Sequence, residues 1–149
     1  MPKTEHDFKN FPELTNRQME IFYFDSPHKQ ITEDFRARVV KVIDGDTIRV
    51  KWEERSFNFP IRLANLAAPE IKEAGGLESQ KWLAEKILGK DVDIVLSPER
   101  VEKWGRLLAY VIDGGINMSE ESRMFGMAQN WEERGSFIPN FEIELERFD

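Results

Sequence analysis

Cysteine is absent from the 149-residue chain, and histidine occurs only as His6 and His28. Disulfide scaffolds, thiolate metal sites and cysteine nucleophiles are thereby excluded, and a histidine-rich zinc site has too few ligands. Any metal held by such a chain is held by oxygen. Long hydrophobic runs are missing too. No stretch approaches the roughly eighteen apolar residues of a membrane span, and the N-terminal MPKTEHDFKNFPEL has no apolar signal core. The expectation is a cytoplasmic protein without membrane contact. Internal repeats and low-complexity tracts are also lacking.

Positive charge is in short supply: 21 Lys and Arg stand against 28 Asp and Glu, a net charge of -7. A phosphate-binding protein wants the opposite balance. Counted by segment, however, residues 1–35 carry four basic and seven acidic side chains, residues 36–110 fourteen and twelve, and residues 111–149 three and nine. The acidity sits in the flanks around a mildly basic centre, which is compatible either with an anion-binding core or with ordinary solvated surface charge.

The centre has a legible pattern. Ala37, Val39, Lys41 and Ile43 alternate with Arg38, Val40 and Val42 and run into Asp44-Gly45, a turn dipeptide. A second strand is predicted over 47–52 and a third over 57–66, closed by Pro69. Gly75-Gly76 opens a helix whose Leu83, Ala84, Ile87 and Leu88 share a face, with Gly89 as its stop. Val92, Ile94 and Leu96 mark a fourth strand, 107–112 a fifth, and a short helix follows around 119–127. In the N-terminal region the apolar cluster 21–24 reads as a short strand or packed extended segment before the turn at Asp25-Ser26-Pro27.

Five short strands with a helix between the third and fourth predict an α+β domain, mainly β with helices, built on a five-stranded OB-fold-type barrel. The expected organisation is an extension at 1–35 packing on the core, a barrel domain at 36–128 and an acidic, aromatic segment at 129–149. In that segment FEIELERF alternates like a strand yet is rich in helix formers, and it stays unassigned.

Three polar clusters fall at the predicted strand ends: Asp44-Gly45-Asp46-Thr47, Arg62 with Pro69-Glu70, and Glu102-Lys103-Trp104-Gly105-Arg106. Carboxylates with two arginines are what phosphodiester hydrolysis needs: oxygen ligands for a hard cation, a base for water, and guanidinium groups for the phosphate oxygens. Each cluster alone has a plainer explanation as a hairpin turn or a surface ion pair.

In their order, IDGDT (43–47), IRLANLAAPE (61–70) and KWGRLLAYV (103–111) resemble the staphylococcal nuclease, or thermonuclease-like, family over about residues 36–128. The resemblance implies a calcium-dependent phosphodiesterase acting on DNA and RNA, with single-stranded nucleic acid as the expected partner, leaving 5′-hydroxyl and 3′-phosphate ends. Position by position it implies a metal-binding Asp46 supported by Asp44, a backbone carbonyl ligand from Ala68, and phosphate-binding Arg62 and Arg106. It further implies Glu70 as general base, with Lys103 and Trp104 on the terminal phosphate and nucleotide. Tryptophan stands where the family has tyrosine, which keeps stacking and loses a hydroxyl.

Two departures stand out. The family's second anionic ligand, an aspartate three residues before the glutamate, is Ala67 here, so calcium binding is expected to be weaker. Glu70 or Glu73 as a direct ligand, or Mg²⁺ or Mn²⁺ in place of Ca²⁺, are the open alternatives. The family's long basic terminal helix is replaced by the acidic residues 129–149. A metal-dependent nuclease is the leading expectation. A catalytically weak or inactive domain that binds single-stranded nucleic acid or a protein is the second, and a structural protein working through its acidic aromatic ends the third. Trp52, Trp82, Phe57 and Phe59 read as core residues, Trp104 as a stacking residue, and His28 as a loop residue.

Overall fold

The computed structural model describes residues 5–130. Its centre is a closed five-stranded barrel. Strand β1 (Phe35–Asp44) pairs antiparallel with β2 (Thr47–Lys51) on one side and β4 (Asp91–Val101) on the other. Strand β2 pairs with β3 (Phe59–Leu63), and β4 with β5 (Leu107–Asp113). Parallel pairing of Ile61 with Leu107 through Leu63 with Ala109 joins β3 to β5 and closes the ring. This is the OB-fold order expected from the strand pattern. Closure leaves no open edge within the ring, and the two-residue β6 (Ile116–Asn117) turns back on β5. Pro60 fits inside β3 because pairing with β5 starts one residue later, so its missing N–H leaves no ladder bond unmade.

Alternation along the strands fills the barrel with Val39, Ile48, Val50, Phe59, Ile61, Leu63, Ile94, Leu107, Ala109 and Val111, all fully buried. Each large apolar side chain so buried contributes about 1.5–3 kcal/mol. The strict alternation expected of β1 is broken once. The ladder steps from Val39–Val50 to Lys41–Arg49, so Val40 is an extra residue in a β-bulge. The bulge shifts the inward face from Val39 to Val42 and turns Val40 and Lys41 outward.

Helix α2 (Gly76–Ile87) packs on β1 through Leu83 and Ile87, beginning one residue after the left-handed Gly75. Leu88 lies beyond its last turn and is exposed, not part of the buried stripe. A shorter helix, α3 (Met118–Met124), is capped by the Asn117 side chain, which accepts from the Ser119 and Glu120 N–H groups. The predicted third strand is trimmed to β3, which leaves Phe57 in the preceding loop. There it is partly exposed, edge-on to His28 at 5.1 Å and under the Arg55 guanidinium, rather than in the core with Trp52 and Phe59. Trp82 is only half-buried, against Phe125.

The apolar cluster expected to be extended is helical instead: α1 (Asn16–Phe22) runs into a 3-10 turn at Tyr23–Asp25. Thr15 and Gln18 form a reciprocal capping box, which fixes the helix start. This N-terminal region is tied to the barrel by polar as well as apolar contacts. Glu13 pairs with Arg55, and Arg100, held at a left-handed φ of 66°, donates to the Ile31 and Leu14 carbonyls and to Asn16 Oδ1. Three hydrogen bonds from one guanidinium offset the strain of that backbone. The segment 131–149, including FEIELERF, lies outside the described residues.

Candidate active site

The β1–β2 hairpin is one of three segments that meet at the end of the barrel. Its Asp44-Gly45-Asp46 turn is tight because a side chain at Gly45 has nowhere to go: a Cβ would sit 1.9 Å from Ser79 Oγ and 2.8 Å from Ala68 Cβ. Asp44 Oδ1 accepts from the Asp46 N–H at 3.0 Å, an Asx-type turn that aims the Asp46 carboxylate inward. Pairing of Thr47 with Arg62 brings β3 alongside, and the loop after β3 returns past the same point.

Asp46 is the hub. Its Oδ2 accepts from the Ala68 N–H at 2.9 Å and lies 3.2 Å from Arg62 Nη2, and its Oδ1 accepts from the Thr47 hydroxyl at 3.1 Å. Thr47 Oγ1 in turn accepts from Arg106 Nη1 at 3.3 Å. A continuous path therefore runs from one guanidinium through a carboxylate and a hydroxyl to the other. Arg62 is nearly buried and also donates to the Leu63 and Leu66 carbonyls, both at 2.6 Å, which locks its plane. Arg106 is clamped by Glu102 through Nε at 3.0 Å and Nη2 at 3.2 Å, and it stays one-third exposed.

Burial, then the hydrogen bond and charge of Asp44, push the Asp46 carboxyl up to about 7, against the pull of Arg62 and the Ala68 N–H. Burial likewise lowers the Arg62 guanidinium, with Asp46 opposing it. For Arg106 burial works downward, but the Glu102 hydrogen bond and charge prevail and raise it. Two carboxyl groups held together in a buried corner need a proton or a cation between them. Asp44, Asp46 and the adjacent Ala68 carbonyl are hard oxygen donors, so the corner fits a hard divalent cation that keeps several waters. No cluster of three His, Asp or Glu side chains suited to a metal ion occurs among the described residues.

The structure thus brings together Asp44, Asp46, Arg62, Ala68 and Arg106. Glu70 follows in the same loop with its side chain exposed and its backbone tied to Glu73, whose carboxylate accepts from the Glu70 N–H at 2.9 Å. Lys103 and Trp104 sit in the loop before β5. Trp104 is 66% exposed, with Lys103 Nζ 5.1 Å from its ring centroid. The backbone of Ala67 fixes the loop in place, since its N–H donates to the Gln129 carbonyl at 2.8 Å and its carbonyl accepts from the Gln129 N–H at 3.1 Å. Sequence reasoning gave no role to Thr47, which bridges the two halves of the network, or to Glu102, which holds Arg106. The nearest signal for Glu102 is the Glu-x-x-Gly-Arg turn, where the left-handed Gly105 folds the loop so that Glu102 and Arg106 face each other. Among the described residues no helix is long and apolar enough to cross a membrane.

Several known proteins are similar to this chain. A protein of Escherichia coli O157:H7 named as an uncharacterized endonuclease is 32% identical over 114 residues, 76% of this chain and 71% of that protein. Another so named, from Haemophilus influenzae, is 34% identical over 92 residues, 62% of this chain and 50% of its own. The micrococcal nuclease of Shigella flexneri is 35% identical over 78 residues, 52% of this chain and 42% of that enzyme. No family model matches the chain. With a barrel of OB-fold order and relatives at this identity over most of its length, the chain belongs to the staphylococcal nuclease-like family.

Proposed function

We propose that the protein is a metal-dependent phosphodiesterase that hydrolyses DNA or RNA, preferring single strands, to 3′-phosphate products. Relatives named as endonucleases and as micrococcal nuclease support a nuclease function. The observation that carries the finer reading is the convergence of Arg62 and Arg106 on the Asp46–Thr47 pair, at 3.2 and 3.3 Å. Two guanidinium groups held by flanking carbonyls and a carboxylate are preorganised donors for phosphate oxygens, and preorganisation is where electrostatic catalysis gains most.

In this reading Arg62 and Arg106 bind the non-bridging oxygens, Arg106 on the leaving-group side. Glu70 takes a proton from the attacking water. The new bond joins that water oxygen to phosphorus, the bond to the 5′ oxygen breaks, and the 5′ oxygen leaves as a hydroxyl. Asp44, Asp46 and the Ala68 carbonyl would hold the cation, Ca²⁺ first and Mg²⁺ or Mn²⁺ otherwise. When bound it supplies Lewis-acid stabilisation of charge on the phosphoryl group. Lys103 and the exposed Trp104 hold the neighbouring phosphate and an unpaired base.

The test is cleavage of single-stranded DNA and RNA with Ca²⁺, Mg²⁺, Mn²⁺ or EDTA by the wild type and Glu70→Ala. Cleavage that needs a metal and falls about 10²–10⁴-fold in the variant is the expected result. The fold should not change, since the Glu70 side chain is exposed. Full activity in Glu70→Ala removes that residue from the mechanism. One observation favours a second reading, a binding module without turnover: the position of the family's second carboxylate is Ala67, spent on backbone pairing with Gln129. Binding of a single strand without cleavage under every metal would select it.

A further inference from the structure

Among the described residues three buried serine hydroxyls lack a hydrogen-bond partner, those of Ser79, Ser97 and Ser122. A hydroxyl removed from water and left unpaired is unfavourable unless a ligand or an ordered water meets it. Ser97 on β4 and Ser122 on α3 are elsewhere in the fold. Ser79, on α2 and 1% exposed, is beside the candidate cation corner.

Its place there is imposed by the packing of α2. The next residue, Gln80, donates through Nε2 to the Val42 and Ile43 carbonyls at 3.1 and 3.4 Å, pinning this part of the helix to the end of β1. Ser79 Oγ then lies 1.9 Å from the point that a Gly45 Cβ would occupy, and Ala68 Cβ lies 2.8 Å from the same point. The hydroxyl is wedged between the Asp44-Gly45-Asp46 turn and Ala68, the two segments that carry the candidate oxygen ligands. Alanine would fill nearly the same volume without burying an unpaired polar atom.

We propose that Ser79 is a positioning residue of the cation site: its hydroxyl holds a water ligand of a hard divalent cation bound by Asp44, Asp46 and the Ala68 carbonyl. Water held in this way compensates for the carboxylate missing at Ala67. A cation with few protein carboxylates keeps more of its waters, and those waters need partners in the surrounding shell. The inference rests on the cation reading of the site given above.

Titration calorimetry with Ca²⁺, repeated with Mn²⁺, on the wild type, Ser79→Ala and Ser97→Ala tests it, with the thermal midpoint of each metal-free protein measured alongside. The expected result is an affinity about tenfold or more lower in Ser79→Ala, unchanged in Ser97→Ala, and a metal-free midpoint in Ser79→Ala equal to or above that of the wild type. A merely structural hydroxyl would move the midpoint and leave the affinity alone. The cation concentration for half-maximal cleavage should rise by the same factor, with the rate at saturating cation preserved. If the wild type binds the ions and Ser79→Ala binds them equally well, the role of Ser79 is overturned and the site reading stands. If the wild type binds neither ion, both fall together.

Discussion

Glu13 and Arg55 form a bidentate ion pair, 2.6 and 2.8 Å, with both side chains sealed from solvent. The pair joins the N-terminal segment to the loop between β2 and β3, where Arg55 also donates to the Lys29 carbonyl and lies 4.4 Å from the Phe59 ring centroid. Desolvating two charges offsets most of their attraction, so the pair as a whole adds little net stability, but removing one partner strands the other. Glu13→Ala is expected to destabilise the protein by about 3–5 kcal/mol. Replacing both residues by apolar ones of similar volume should recover most of that loss. Urea unfolding of the two variants checks it, and a single variant as stable as the wild type would sink the argument.

That pair also marks where sequence reading stops. The barrel was legible because its strands alternate over short ranges and Asp44-Gly45 is a local turn signal. The residues of the candidate site were legible because they cluster at predicted strand ends. A contact between residues 13 and 55 has no periodicity to betray it, and neither does the bulge at Val40, which shifts the face of β1 by one residue without any Gly or Pro to announce it. Helix α1 was within reach: Thr15-x-x-Gln18 is a capping-box pattern, but the apolar cluster behind it suggested a strand. Thr47 and Ser79 matter through three-dimensional neighbours, so their residue types alone say nothing.

His28 gives the protein a pH-dependent stability. Its Nε2 lies 2.9 Å from the Pro12 carbonyl and its ring packs against Phe57, and partial burial lowers its pKa, aided by Arg55 and opposed by the hydrogen bond to Pro12 and by Glu13. The folded state therefore prefers the neutral ring more than the unfolded chain does. The stability this contributes is fully present above the unfolded value of about 6.5 and is lost as the pH falls through that value toward the lower folded one. Unfolding free energies of the wild type and His28→Gln, measured from pH 8 to pH 5, should diverge below about pH 6.5, with the wild type losing more. Parallel curves would show that the ring is indifferent to protonation.

Ala67→Asp asks whether the cation corner is a weakened version of the family's site. The backbone of Ala67 is already fixed by its two hydrogen bonds to Gln129, so a new side chain can be added without moving the loop. Without metal, a third carboxyl beside Asp44 and Asp46 adds repulsion, and Asp46 is already pushed up to about 7. The metal-free variant should therefore unfold at a lower temperature than the wild type. Bound Ca²⁺ reverses the sign: affinity follows the number of anionic ligands, so Ca²⁺ should bind about tenfold or more tightly. The thermal midpoint should climb further with added Ca²⁺ in the variant than in the wild type, because binding to the folded state alone stabilises it by mass action. A folded Ala67→Asp protein whose midpoint ignores Ca²⁺ would mean that position 67 does not face the cation, and the assignment of Asp46 and Ala68 as ligands would go with it.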